Sequence, residues 1–129
     1  MIKNKKYIVT GSSSGIGESI SKTLLNNDAI VIGISSKKNT FKRKNFFHYK
    51  IDLSNSINSY NEFLKIITEN ENIDGVISNA GNGVFQSLEN FSPKQINQFI
   101  NLNLTSHIIL TRALLPHFKK NKSGNIIFI

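Results

Sequence analysis

Three glycines fall in the stretch Thr10-Gly11-Ser12-Ser13-Ser14-Gly15-Ile16-Gly17, between the apolar run Tyr7-Ile8-Val9 and a segment whose apolar residues recur at helical spacing. Where a strand hands over to a helix, glycines let the backbone turn tightly, admit a ligand with no β-carbon in the way, and bring helix and strand close together. The first N–H groups of the helix then face an anion with the positive end of the helix dipole behind them, an arrangement suited to a phosphate or pyrophosphate. The spacing G-x-x-x-G-x-G differs from G-x-G-x-x-G, and no Gly-Lys-Ser/Thr follows, so the stretch is not a P-loop. Flexible turns also collect Gly and Ser, so the loop alone does not decide between a turn and a phosphate cradle.

The elements that must position this loop can be read from the hydrophobic pattern. Residues 6–10 form a first strand, and Ile16, Ile20 and Leu24 make one stripe of a helix that ends near Asn26-Asn27. Residues 29–34 and 46–51 read as a second and a third strand, the former nearly continuous in apolar residues, as expected when helices cover both faces of a parallel sheet. A helix over about 56–70 carries Ile57, Tyr60, Phe63, Leu64 and Ile67, and residues 75–78 form a fourth strand ending in Asn79-Ala80-Gly81. Ser92-Pro93-Lys94-Gln95 offers an N-cap serine, a proline at the first helical position and a glutamine placed to reach back to the cap. A long helix is expected from there to Pro116, which should end or kink it. Ser123-Gly124 breaks the chain, and residues 125–129 open a fifth strand.

Strand and helix alternate without repeats, linker or low-complexity segment, which predicts one doubly wound α/β domain over residues 1–129 with a parallel sheet. Ligands on such sheets bind beyond the carboxyl ends of the strands. The glycine loop, Ser35-Ser36-Lys37, Asp52-Leu53 and Asn79-Ala80-Gly81 all lie at such ends.

The bulk numbers exclude several classes. With no cysteine there is no disulfide, thiolate metal site or thiol nucleophile, and His48, His107 and His117 stand alone, in surface or packing roles rather than as metal ligands or catalysts. No apolar run approaches the roughly 20 residues that span a bilayer, so no membrane partner is expected and a cytoplasmic location is the default. The formal charge of +8 comes mostly from scattered lysines, with Arg43 and Arg112 the two arginines and Lys37-Lys38 with Lys42-Arg43-Lys44 the densest patch. Without aromatic stacking platforms, this favours a phosphate-bearing small ligand over nucleic acid.

Taken together, the spaced motifs resemble the short-chain dehydrogenase/reductase family over nearly the whole chain. The resemblance implies an NAD(P)-binding, Rossmann-like domain. In it, Thr10, Gly11, Ser13, Ser14, Gly15, Ile16 and Gly17 look like the cofactor loop. Asp52, with Leu53, matches the aspartate that contacts the adenine ring, and Asn79, Ala80 and Gly81 match the motif after the fourth strand. Asn103, in Asn101-Leu102-Asn103-Leu104-Thr105, matches the helix asparagine assigned to the family's proton relay, and Ser123-Gly124-Asn125 is similar to the lead-in to the fifth strand. Plainer readings stand beside these: Asp-x-Ser sequences also form turns, Asn79 and Gly81 also close strands, and an asparagine also ties a helix to its neighbour. Asn103 lies seven residues after Ile96, on the stripe of Phe99 and Ile100, so its amide is expected to face the core and find partners there.

The second strand ends in Ser35-Ser36-Lys37-Lys38 with no acid to accept ribose hydroxyls. Hydroxyl and ammonium groups attract a 2′-phosphate, so Ser36 and Lys37 predict NADP(H) over NAD(H). The family transfers hydride between nicotinamide and a carbonyl or alcohol, using a serine after the fifth strand and a Tyr-x-x-x-Lys pair. Here Tyr7, Tyr49 and Tyr60 are followed four positions on by Gly11, Leu53 and Leu64. The expectation is therefore the cofactor-binding half of such an oxidoreductase, truncated after the fifth strand, inactive alone and weak in cofactor binding. A small-molecule substrate would enter only an intact form. The alternative is a non-catalytic nucleotide-binding or interaction module completed by a second copy or a complementing chain along the exposed fifth strand.

Overall fold

Five short runs rich in β-branched and aromatic residues pair as one parallel sheet in the computed structural model, which describes residues 1–38 and 41–129. They are β1 (Lys6–Thr10), β2 (Ile30–Ser35), β3 (Phe46–Lys50), β4 (Gly75–Ser78) and β5 (Asn125–Phe128), in the spatial order β3-β2-β1-β4-β5. The order reverses between β1 and β4, so the loops leaving those two strands diverge and open a crevice at their carboxyl ends. Register places Tyr7 beside Val31 and Gly75, and Val9 beside Gly33 and Ile77.

Successive side chains on each strand go to opposite faces, and both faces are covered. On one face Val9, Val31 and Ile77 pack with Leu25 of α1 (Gly15–Asn26). On the other, Ile8, Ile32, Ile34 and Val76 meet Phe63 and Ile66 of α2 (Ser56–Glu69) and Leu110, Leu114 and Phe118 of α4 (Ser106–Asn121). This is the doubly wound arrangement the alternation of elements predicts. Among the described residues no helix is long and apolar enough to cross a membrane.

Three helical expectations need correction. In α1 the buried line is Gly17, Ser21 and Leu25, with Ile20 and Leu24 partly buried, whereas Ile16 is 60% exposed. The helix lies so close to the sheet that its first turns admit only small side chains underneath. In α2 the buried line is Ser59, Phe63 and Ile66, and Ile57 and Leu64 face solvent. The expected long helix exists, but α3 (Pro93–Ile100) passes into α4 through a π-helical turn at Asn101–Thr105, where the Ser106 N–H donates to the Asn101 carbonyl five residues back. Pro116 lies inside α4, which runs on to Asn121: Leu114 and Phe118, buried on either side of it, anchor the helix against the sheet and override the missing hydrogen bond.

Candidate functional site

At the carboxyl end of β1 the backbone takes a left-handed turn at Gly11, φ 70°, and again at Gly15, φ 55°. A β-carbon on Gly11 would lie 2.8 Å from Asn79 Nδ2 and 3.1 Å from Ala80 Cα, while one on Gly17 would run into the Gly11 carbonyl. These contacts explain two of the three glycines: the loop folds back on itself and against the end of β4. Ser14 is the N-cap of α1 in extended conformation, and its side chain makes no capping bond. The first-turn N–H groups of α1 therefore receive no bond from the N-cap side chain, and the N-terminus of a helix is suited to hold an anion. Glu18, the one acid in that turn, is neutralised by its ion pair with Lys22 one turn on.

Thr10 joins the two loops. Its hydroxyl accepts the N–H of Asn79 and the N–H of Ala80, both at 2.9 Å, and its carbonyl accepts from Asn79 Nδ2 at 3.1 Å. Thr10 is only 2% exposed, so it acts as the tie between β1 and β4 under the crevice. On the far side, buried His107 of α4 donates from Nε2 to the Ala80 carbonyl at 2.8 Å, which places a proton on that nitrogen.

The crevice itself encloses 280 Å³ between the ends of four segments. Gly11, Ser13 and Ser14 line it from the glycine loop, Ser36 and Lys37 from beyond β2, Asp52 and Leu53 from beyond β3, and Ala80 and Gly81 from beyond β4. It adjoins a second hollow of 380 Å³ that shares Ser36, Asp52, Asn82 and Leu102 and extends to Phe91 and Phe99 beside α3. Residues as far apart in sequence as Gly11 and Leu102 are thus gathered around one space. Gly15 and Ile16 do not line it, and Thr10, Gly17 and Asn79 sit behind its wall.

Asp52 holds a turn as well as a wall position: one carboxylate oxygen accepts the Ser54 N–H at 2.9 Å and the Ser54 hydroxyl at 2.7 Å. Asn103 departs from expectation. It is exposed rather than core-facing, as are Ile96 and Ile100 on the same stripe, because α3 buries none of its residues against the rest of this chain. Its amide still finds two partners, donating to the Phe99 carbonyl at 3.0 Å and accepting the Asn82 N–H at 3.1 Å. Asn103 thereby fixes the loop that follows Gly81. Asn82 and Leu102 were missed in the sequence, although the run of asparagines around 101–103 marks a helix with unusual polar duties.

A short chain dehydrogenase family model matches residues 5–129. A 3-ketodihydrosphingosine reductase of Bacteroides thetaiotaomicron is 32% identical over 124 residues, which are 95% of this chain and 45% of that protein. Among solved structures, a metagenomic short-chain oxidoreductase in complex with NADP superposes with a TM-score of 0.89 at 26% identity, covering 98% of this chain and 61% of that one. A 4-hydroxyisoleucine dehydrogenase complexed with NADH superposes with a TM-score of 0.87 at 28% identity, covering 97% and 55%. The chain spans about half the length of the curated relatives it matches.

Proposed function

Because the chain belongs to the short chain dehydrogenase family, we propose that it forms the cofactor-binding part of an oxidoreductase that moves hydride between NADP(H) and a carbonyl or alcohol. The observation that carries this reading is the glycine loop folded against Asn79 and Ala80 at the start of α1, held in a close approach that a β-carbon at Gly11 or Gly17 would break by colliding with Asn79, Ala80 or the Gly11 carbonyl. When bound, the dinucleotide supplies the hydride donor or acceptor, and the chain's own residues orient it and exclude water.

In this reading the loop from Gly11 to Gly17 and the first N–H groups of α1 hold the pyrophosphate, while Thr10 keeps the loop registered against β4. Asp52 and Leu53 flank the adenine, and Asn79, Ala80 and Gly81 border the nicotinamide side. Ser36 and Lys37 receive the 2′-phosphate, since a hydroxyl and an ammonium attract that dianion and no acid stands at the end of β2 to repel it. Asn103, exposed and open to water, serves the proton relay. No Tyr-x-x-x-Lys pair occurs in the 129 residues, so the chain by itself binds cofactor weakly and does not turn over.

Calorimetric titration with NADPH and NADH tests this. The expected result is preference for NADPH with a dissociation constant weaker than about 1 μM. The double variant Lys37→Gln with Lys38→Gln should erode that preference on the order of tenfold, the scale of one charge-assisted contact to phosphate. A variant that kept the full preference would remove the argument for the phosphorylated cofactor, and submicromolar binding would contradict weak binding by this chain.

A second reading, a module completed by another polypeptide, is favoured by one observation: Ile127, Phe128 and Ile129 at the sheet edge are all more than half exposed. Sedimentation of the purified chain separates the two. A stable complex with a second copy or a complementing chain supports completion, and a monomer that binds cofactor alone opposes it.

A further inference from the structure

The Ser36-Lys37 turn is exposed at both residues, yet a buried hydroxyl sets its path from below. Ser35, the last residue of β2 and 5% exposed, donates its hydroxyl proton to the Lys37 carbonyl at 2.7 Å, and the same oxygen lies 2.8 Å from His48 Nε2. A serine hydroxyl has one proton to give. With that proton committed to Lys37, the imidazole completes the chain by donating Nε2–H to Ser35 Oγ.

The imidazole is itself held in place. Parallel pairing of β2 with β3 sets His48 opposite Gly33, over whose α-carbon the Phe46 ring packs. The ring lies nearly parallel to that of Phe46, with centroids 6.4 Å apart, and Phe46 in turn packs edge-on against Phe41 at 4.9 Å. Partial burial pushes the His48 imidazole below the usual histidine value, opposed by its contact with the Lys37 carbonyl. A neutral ring with a single N–H to give is the form this chain of bonds uses.

We propose that His48 is a positioning residue for cofactor selectivity: through Ser35 and through its own contact with the Lys37 carbonyl it sets that carbonyl, and so the place of the Ser36 hydroxyl and Lys37 ammonium that discriminate a 2′-phosphate. This rests on the cofactor site proposed above. It goes beyond it in assigning part of the discrimination to a β3 residue that lines neither hollow of the site.

The test compares two probes on the full chain, 2′,5′-ADP and 5′-ADP, with His48→Leu, His48→Gln and Ser35→Ala. The leucine removes the donor, the glutamine restores an N–H near the Nε2 position, and the alanine removes the hydroxyl between ring and turn while leaving the ring intact. Loss of one such hydrogen bond corresponds to about threefold to tenfold weaker 2′,5′-ADP binding in His48→Leu and Ser35→Ala, with 5′-ADP within about twofold of the wild type. His48→Gln should recover most of the loss. Backbone amide resonances of Ser36 and Lys37 should move in His48→Leu while those of Gly15 and Gly17 stay in place, which a general loss of packing would not produce. If the wild type binds 2′,5′-ADP and both disruptive variants keep its preference, the proposal fails alone. If the wild type binds neither probe, the cofactor reading fails and takes this proposal with it.

Discussion

The Thr10 hydroxyl accepts two backbone N–H groups, from Asn79 and Ala80, in a place that water does not reach. Removing it leaves both donors without a partner, and each buried unpaired donor costs about 1–3 kcal/mol. Thr10→Val should therefore lower stability by about 2–6 kcal/mol in urea unfolding, and Thr10→Ser should restore most of it. A valine variant as stable as the wild type would mean that the tie between β1 and β4 carries no weight. The sequence marked Thr10 only as the neighbour of the glycine loop, because the partners that define its work lie 69 and 70 positions away. Asp52 was easier to read: the Asp-x-Ser pattern is local, and its turn forms as such patterns do.

At the scale of elements, the glycine loop and α1 are coupled through contact rather than through flexibility. A β-carbon at Gly17 meets the Gly11 carbonyl and the Asn79 amide, and the carbonyl, being backbone, cannot move aside. Gly17→Ala should cost about 1–3 kcal/mol as an overpacked site, and should weaken NADPH binding more than a remote variant of equal stability cost. Equal loss in both would separate the loop from binding. Strands, the loop and the capping box of α3 were legible because each is written in neighbouring residues: Ser92 and Gln95 cap one another as their spacing predicts. The π-helical turn at Asn101–Thr105 was not, since no glycine, proline or capping pair stands in it to mark a change of helix geometry. The path of α4 through Pro116 was hidden for another reason, because tertiary packing by Leu114 and Phe118 outweighs a local rule.

For the whole molecule, the strand order β3-β2-β1-β4-β5 is what turns scattered motifs into one site. Reversal of order between β1 and β4 opens the crevice, and the ends of β2 and β3 extend it on one side. Every segment named from the sequence as a cofactor contact reaches either the wall of this crevice or the layer behind it, apart from Gly15 and Ile16 at the start of α1. The central claim is that this crevice, and not the basic surface of Lys42, Arg43 and Lys44, receives a phosphorylated dinucleotide. The most direct measurement is titration of the isotope-labelled chain with NADPH, following each backbone amide by nuclear magnetic resonance. The account predicts saturable shifts at Gly11 to Gly17, Ser36 to Lys37, Asp52 and Asn79 to Gly81, with smaller affinity for NADH. Shifts confined to Lys42 to Lys44, or none, would contradict it.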